Sequence, residues 1–198
     1  MGKPRVGIVG LGFGAQVHLP AFQSEGWEVA AVCSRHADKA RAVADAAGVA
    51  DICTDPMELV AREDISAVAI STPPRTHHPI TMAALAAGKH VLCEKPFAMS
   101  AAEAAQMRDA AAKRGLAGMV AHEFRYAPQR AYVKQLLRGG YVGRFTMCTI
   151  ELFLDRYVTA QPRALTWQAR QAEAAAFSAR SARTTSTGCA TGSARSRP

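Results

Sequence analysis

The chain has 198 residues, 49% of them hydrophobic, and a formal net charge of +8. That length and composition support one large domain, or one domain plus part of another, and exclude a wholly disordered chain. No apolar run is long enough to span a bilayer, and half of the charge excess falls in the last thirty residues, where five arginines face one acid. With no basic cluster carrying aromatics and no known recognition motif, neither a nucleic acid nor a membrane is expected as a partner. The five cysteines are scattered without a C-x-x-C pair, which fits reduced thiols better than a disulfide framework or a zinc site. With no signal-peptide pattern at the N-terminus, the expected location is cytoplasmic.

Val6 to Val9 is a short apolar run that reads as a buried strand, and the glycines that follow it read as a turn opening a helix. In Gly10-Leu11-Gly12-Phe13-Gly14-Ala15, Gly10 suits a tight turn, Gly12 lets the backbone approach a pyrophosphate, and Ala15 is small enough for close helix packing. The amides at the start of that helix then face phosphates. A lone G-x-G-x-x-[GA] is weak evidence, and the strand before it is what strengthens it.

Val29 to Val32 is a second strand, followed by a helix from about Asp38 to Ala47 that Gly48 stops. The second strand ends Cys33-Ser34-Arg35-His36, with no acid at the place where an NAD-binding fold holds the ribose 2′-hydroxyl. Ser34 and Arg35 can bind a 2′-phosphate, so NADP(H) is favoured over NAD(H). The reading in which Arg35 is a surface cation, and the cofactor NAD(H), stays open.

Asp55, Pro56 and Glu58 mark another helix start. Ile65 to Ile70 reads as a strand ending at Ser71-Thr72-Pro73-Pro74, His77 to Ala87 as a helix, and His90 to Cys93 as a strand. Ser100 and Glu103 form a second capping box, opening a helix that ends at Gly115, and Leu116 to Ala121 is one more strand. Repeated β-α units of this length predict a parallel sheet covered on both faces. Beyond them, Pro128 to Arg138 predicts a helix, and Phe145 to Leu154 a strand with one exposed face.

Glu94-Lys95-Pro96, directly after a strand, is the second strong feature. Together with the glycine turn, His18-Leu19-Pro20 and Ser71-Thr72-Pro73-Pro74…His77, it makes the chain resemble the Gfo/Idh/MocA oxidoreductases over residues 5 to 168. The resemblance implies an α/β fold: a Rossmann doubly wound parallel sheet over 1–122, then an α+β substrate domain whose beginning occupies 123–168. It also implies hydride transfer between a nicotinamide cofactor and a sugar- or polyol-like hydroxyl or carbonyl carbon, in proteins that are commonly homo-oligomers.

The implied catalytic residue is Lys95, near the nicotinamide and the substrate hydroxyl. There it stabilises developing negative charge or relays a proton. The implied cofactor-binding residues are Gly10, Gly12, Phe13, Gly14, Ala15, Ser34, Arg35, Thr72, Pro73, His77, Glu94, Lys95 and Arg125. Glu94 would hold the turn or touch cofactor, and Pro96 would fix the loop, through a cis bond if it adopts one. His77 is placed near the nicotinamide, and Arg125 either near the cofactor or at a hinge between domains. No metal is expected.

Residues 169–198 depart from the resemblance. They carry no helical or strand period, and compositionally they form a disordered basic tail. The family's substrate domain carries a glycine-rich motif with a catalytic His, and no His follows His122 here. A shifted reading frame from Glu173 onward permits such a glycine-rich stretch, with a His and then an aromatic amphipathic helix. The expectation is therefore an out-of-frame tail and an incomplete substrate domain, leaving cofactor binding intact and turnover in doubt. A non-catalytic NAD(P)-binding module is the alternative.

Overall fold

The computed structural model describes residues 2–144 together with 146, 147 and 149. Six strands form one sheet: β1 (Arg5–Val9), β2 (Glu28–Cys33), β3 (Asp51–Cys53), β4 (Ala67–Ile70), β5 (His90–Glu94) and β6 (Gly118–Ala121). Their order is β3-β2-β1-β4-β5-β6 and every pairing is parallel. The order reverses between β1 and β4, and in such sheets a ligand binds in the crevice outside the carboxyl ends of the strands at that switch.

Five helices accompany the sheet: α1 (Leu19–Ser24), α2 (Ala37–Ala47), α3 (Pro56–Ala61), α4 (His77–Ala86) and α5 (Ala101–Lys113). Alternation along the strands sorts the core into two layers. Val9, Val68, Ile70 and Cys93 pack with Leu59 of α3, Ile80 and Leu85 of α4, and Met107 of α5. Val6, Ile8, Ala67 and Ala69 pack with Leu19 of α1 and with Ala40 and Ala44 of α2. The inner strands β1, β2 and β4 are buried on both faces over almost their whole length, which is why they read as continuous apolar runs.

The caps fall where the sequence puts them. Asp55 accepts a hydrogen bond from the Met57 amide at 2.9 Å and opens α3. Ser100 accepts from the Glu103 amide at 3.2 Å to open α5, but the Glu103 carboxylate reaches back to the Met99 amide at 2.9 Å rather than to Ser100 itself. The return arm lands one residue earlier and so ties down the segment that follows Glu94-Lys95-Pro96.

The described residues divide into two compact units, the first running through Ala121 and the second beginning at His122. In the second, a 3₁₀ turn (Glu123–Tyr126) leads into α6 (Pro128–Arg138), whose bounds match the sequence reading. The strand expected over 145–154 and the tail expected over 169–198 lie outside the described residues. Sequence patterns missed β3, whose three residues are too short to show a period. Among the described residues no helix is long and apolar enough to cross a membrane.

Candidate active site

The glycine turn is locked to both of its neighbouring strands. The Gly10 amide donates to the Cys33 carbonyl of β2 at 3.0 Å, and the Ser71 hydroxyl beyond β4 donates to the Gly10 carbonyl at 2.7 Å. Gly10 has φ +96°, and a Cβ there would sit 2.7 Å from the backbone of Ser71. A Cβ on Gly14 would collide with the Ser71 hydroxyl and crowd Ile8. Gly12 differs from both: it is exposed, and a Cβ there would meet nothing within 4 Å. The first and third glycines thus serve close packing, and the second leaves backbone open to a ligand.

The chain leaves this turn in a π-helical turn, Gly14–His18, before α1 begins. Single π turns inside helices recur at functional sites. Its N-terminal residue, Phe13, makes no side-chain cap and no acid lies in the first turn, so the start of the helix is electrostatically suited to an anion.

Ser34 and Arg35 follow β2 directly, and the Ser34 amide donates to the Cys53 carbonyl at 3.1 Å. The Ser34 hydroxyl accepts from the His36 amide at 3.3 Å, while the Arg35 side chain is exposed. The pair therefore stands at the carboxyl end of the strand that the glycine turn grips.

The Glu94-Lys95-Pro96 segment is held more tightly than its sequence suggests. Glu94 ends β5 and is 6% exposed. One carboxylate oxygen lies 3.0 Å from His18 Nε2; the other accepts from the Lys95 amide at 3.1 Å and lies 3.4 Å from Lys95 Nζ. Burial pushes the carboxyl up, but the His18 hydrogen bond and the Lys95 charge outweigh it and hold the group below its ordinary range. Lys95 Nζ also stands 5.1 Å over the Phe13 ring, whose edge meets His18 at 5.5 Å between centroids. The Lys95-Pro96 peptide is cis.

His77 is almost wholly buried, with 1% of its surface exposed. Nε2 lies 2.7 Å from the Thr72 carbonyl and Nδ1 2.9 Å from the Pro96 carbonyl. It bridges the loop after β4 to the loop after β5, with both ring nitrogens at hydrogen-bond distance from backbone carbonyls. A neutral imidazole donates through one nitrogen only. Protonation would satisfy both carbonyls, but burial dominates and pushes the ring below its ordinary value. Thr72 is held in turn by the Thr76 hydroxyl at 2.7 Å. His78 bonds Gln106 at 2.7 Å, joining α4 to α5. Arg125 belongs to the second unit, exposed, with its guanidinium 5.8 Å from the Tyr126 ring centroid.

His18 is the residue that sequence reasoning left without a role. It appeared there only as part of a motif, and nothing local signals a partner 76 positions away. No group of three His, Cys, Asp or Glu residues suited to a metal occurs among the described residues.

A parallel sheet in the order 3-2-1-4-5-6, with a glycine turn at its switch point, defines a dinucleotide-binding Rossmann domain. The model of the oxidoreductase family with an NAD-binding Rossmann fold, GFO_IDH_MocA, matches residues 4–122, and the chain belongs to that family. It is 32% identical over 167 residues to an uncharacterized oxidoreductase of Synechocystis, covering 84% of this chain and 45% of the relative. Among solved structures it is similar to scyllo-inositol dehydrogenase from Lactobacillus casei with bound NAD(H) and scyllo-inositol. That likeness has a TM-score of 0.69 at 27% identity and covers 73% of this chain and 44% of the other. It is likewise similar to a 3-ketoreductase from Actinomadura kijaniata in complex with TDP-benzene and NADP, with a TM-score of 0.67 at 33% identity and coverage of 73% and 45%. The chain spans less than half the length of these relatives.

Proposed function

We propose that this chain binds NADP(H) in preference to NAD(H) and serves hydride transfer between the nicotinamide and a sugar- or polyol-like hydroxyl or carbonyl carbon. The single observation that carries this reading is Lys95. Its ammonium is held by Glu94 and the Phe13 ring at the end of β5, beside the switch point of the sheet.

The residues present fit a dinucleotide. Gly12 offers open backbone to the pyrophosphate, Ser34 and Arg35 offer a hydroxyl and a guanidinium to a ribose phosphate, and Thr72 and Pro73 border the crevice from β4. When bound, the nicotinamide supplies or accepts the hydride. Lys95 donates a hydrogen bond to the substrate oxygen and stabilises the negative charge that develops there. Glu94 keeps that ammonium oriented, and His77 holds the loop that carries it. Three buried free thiols, Cys33, Cys53 and Cys93, fit work in a reducing compartment such as the cytoplasm.

The test is titration of the full chain with NADPH and NADH by cofactor fluorescence, followed by a turnover screen on cyclitols and aldoses. Tighter binding of NADPH, and turnover abolished in Lys95→Ala with cofactor affinity retained, is the expected result. Failure to bind either cofactor overturns the proposal. Binding without turnover of any substrate would make the chain a cofactor-binding module instead.

A further inference from the structure

The Glu94 carboxylate and the Phe13 ring both meet the Lys95 ammonium, and one residue, His18, touches both of them. His18 closes the π turn, is 7% exposed, donates or accepts through Nε2 at 3.0 Å from Glu94 Oε1, and packs edge-on against Phe13 at an interplanar angle of 78°. Because His18 occupies one carboxylate oxygen, the other is left to the Lys95 amide and ammonium. With both oxygens engaged, the carboxylate cannot rotate without breaking a contact. A carboxylate acts only as an acceptor, so the imidazole places its proton on Nε2 and donates to Glu94.

We propose that His18 is a positioning residue for Lys95, acting through Glu94 and Phe13 to fix where the ammonium points and to keep its counter-charge ionised. This role rests on the reading of Lys95 as the residue at the reacting carbon. It also explains the π turn: that turn delivers His18 from the glycine loop to the end of β5, so the element expected to hold phosphates also carries a support of the lysine loop. The side chains in contact with the carboxylate are His18 from the π turn and Lys95 from its own loop, and His77 of α4 feels the carboxylate's charge in turn. Of these, His18 gives the carboxylate its shortest side-chain contact.

A histidine that served only to close the π turn would affect stability and leave the proton affinity of Glu94 unchanged. A positioning one changes the proton affinity of Glu94 as sensed at Lys95. The experiment uses the full chain with its lysines reductively methylated with ¹³C. The Lys95 signal is assigned by its loss in Lys95→Arg and followed across the carboxylate range up to neutral pH. In the wild type the signal shows a step as Glu94 titrates, and Glu94→Gln abolishes it. His18→Leu is expected to raise the proton affinity of Glu94 about tenfold, moving the step by about one pH unit toward neutral. His18→Gln, which restores an N–H donor, is expected to bring it back. His18→Asn, whose amide falls short of Oε1, gives the same rise as leucine and carries the test if the leucine variant does not fold. A step that stays in place in the leucine and asparagine variants, or that moves equally in the glutamine variant, overturns the proposal. Because this readout needs no turnover, it stands apart from the cofactor titration on which the proposed function depends.

Discussion

The His18 imidazole and the Glu94 carboxylate meet at 3.0 Å although 76 positions separate them, and both are buried. One comes from the turn that follows β1 and the other from the end of β5, two strands that are not neighbours in the sheet. Their contact ties the turn after β1 to the loop that carries Lys95.

The three glycines of the turn are expected to separate stability from binding. Gly14→Val forces a side chain into Ser71 and Ile8 and should cost about 1–3 kcal/mol in urea unfolding, the usual range for overpacking. Gly12→Val meets open space, so stability should change by no more than about 0.5 kcal/mol. Cofactor affinity should nevertheless fall about tenfold or more, because the added side chain keeps the pyrophosphate from the backbone. Isothermal titration beside the denaturation curves checks both.

Arg35→Ala should weaken NADPH binding about tenfold or more, the magnitude of losing one charged hydrogen bond to phosphate. NADH binding should change little, since its ribose carries no phosphate for the guanidinium to meet. Competitive fluorescence titration of the two cofactors against wild type and variant decides this. Equal loss for both would make Arg35 a general electrostatic contributor.

His77→Leu should lower stability by about 1–3 kcal/mol, the cost of leaving one of the two carbonyls, Thr72 or Pro96, without its donor. The pH dependence has a definite sign. The native ring is held below the ordinary value of 6.5, chiefly by burial, so the unfolded state binds the proton more readily. The contribution of His77 is therefore fully present above the unfolded value and is lost as pH falls through the depressed native one. Urea unfolding at a series of pH values should show the gap between wild type and variant shrinking on acidification. The Glu94 contribution is likewise lost on acidification, as pH falls through a native value below the ordinary 4.5.

Cys33, Cys53 and Cys93 should resist alkylation in the native protein. Burial pushes the Cys33 and Cys93 thiols up to about 12 and raises Cys53 as well, so at mildly alkaline pH almost no thiolate is present to react. Iodoacetamide followed by peptide mass mapping should leave these three unmodified until urea is added. Rapid labelling of the folded chain would contradict their burial.

The sequence by itself determined the fold of the first unit. Its strands are short, apolar and bounded by glycines, prolines and capping residues, and these are local signals that survive without a partner. Gly10, Gly12, Ser34 and Arg35 were singled out in the same way, because their chemistry depends on where a strand ends, whereas Lys95 was singled out only by the family resemblance. Only the tertiary structure decided what each of them touches. His77 reads in sequence as a site histidine, yet folding buries it between two carbonyls. His18 appears in sequence only as part of the His18-Leu19-Pro20 run, yet the parallel crossover and the π turn deliver its ring to Glu94. Side-chain pairing across a sheet is fixed by strand order and helix packing, which no local period encodes, so the partner of a buried charge is known only once the layers are assembled.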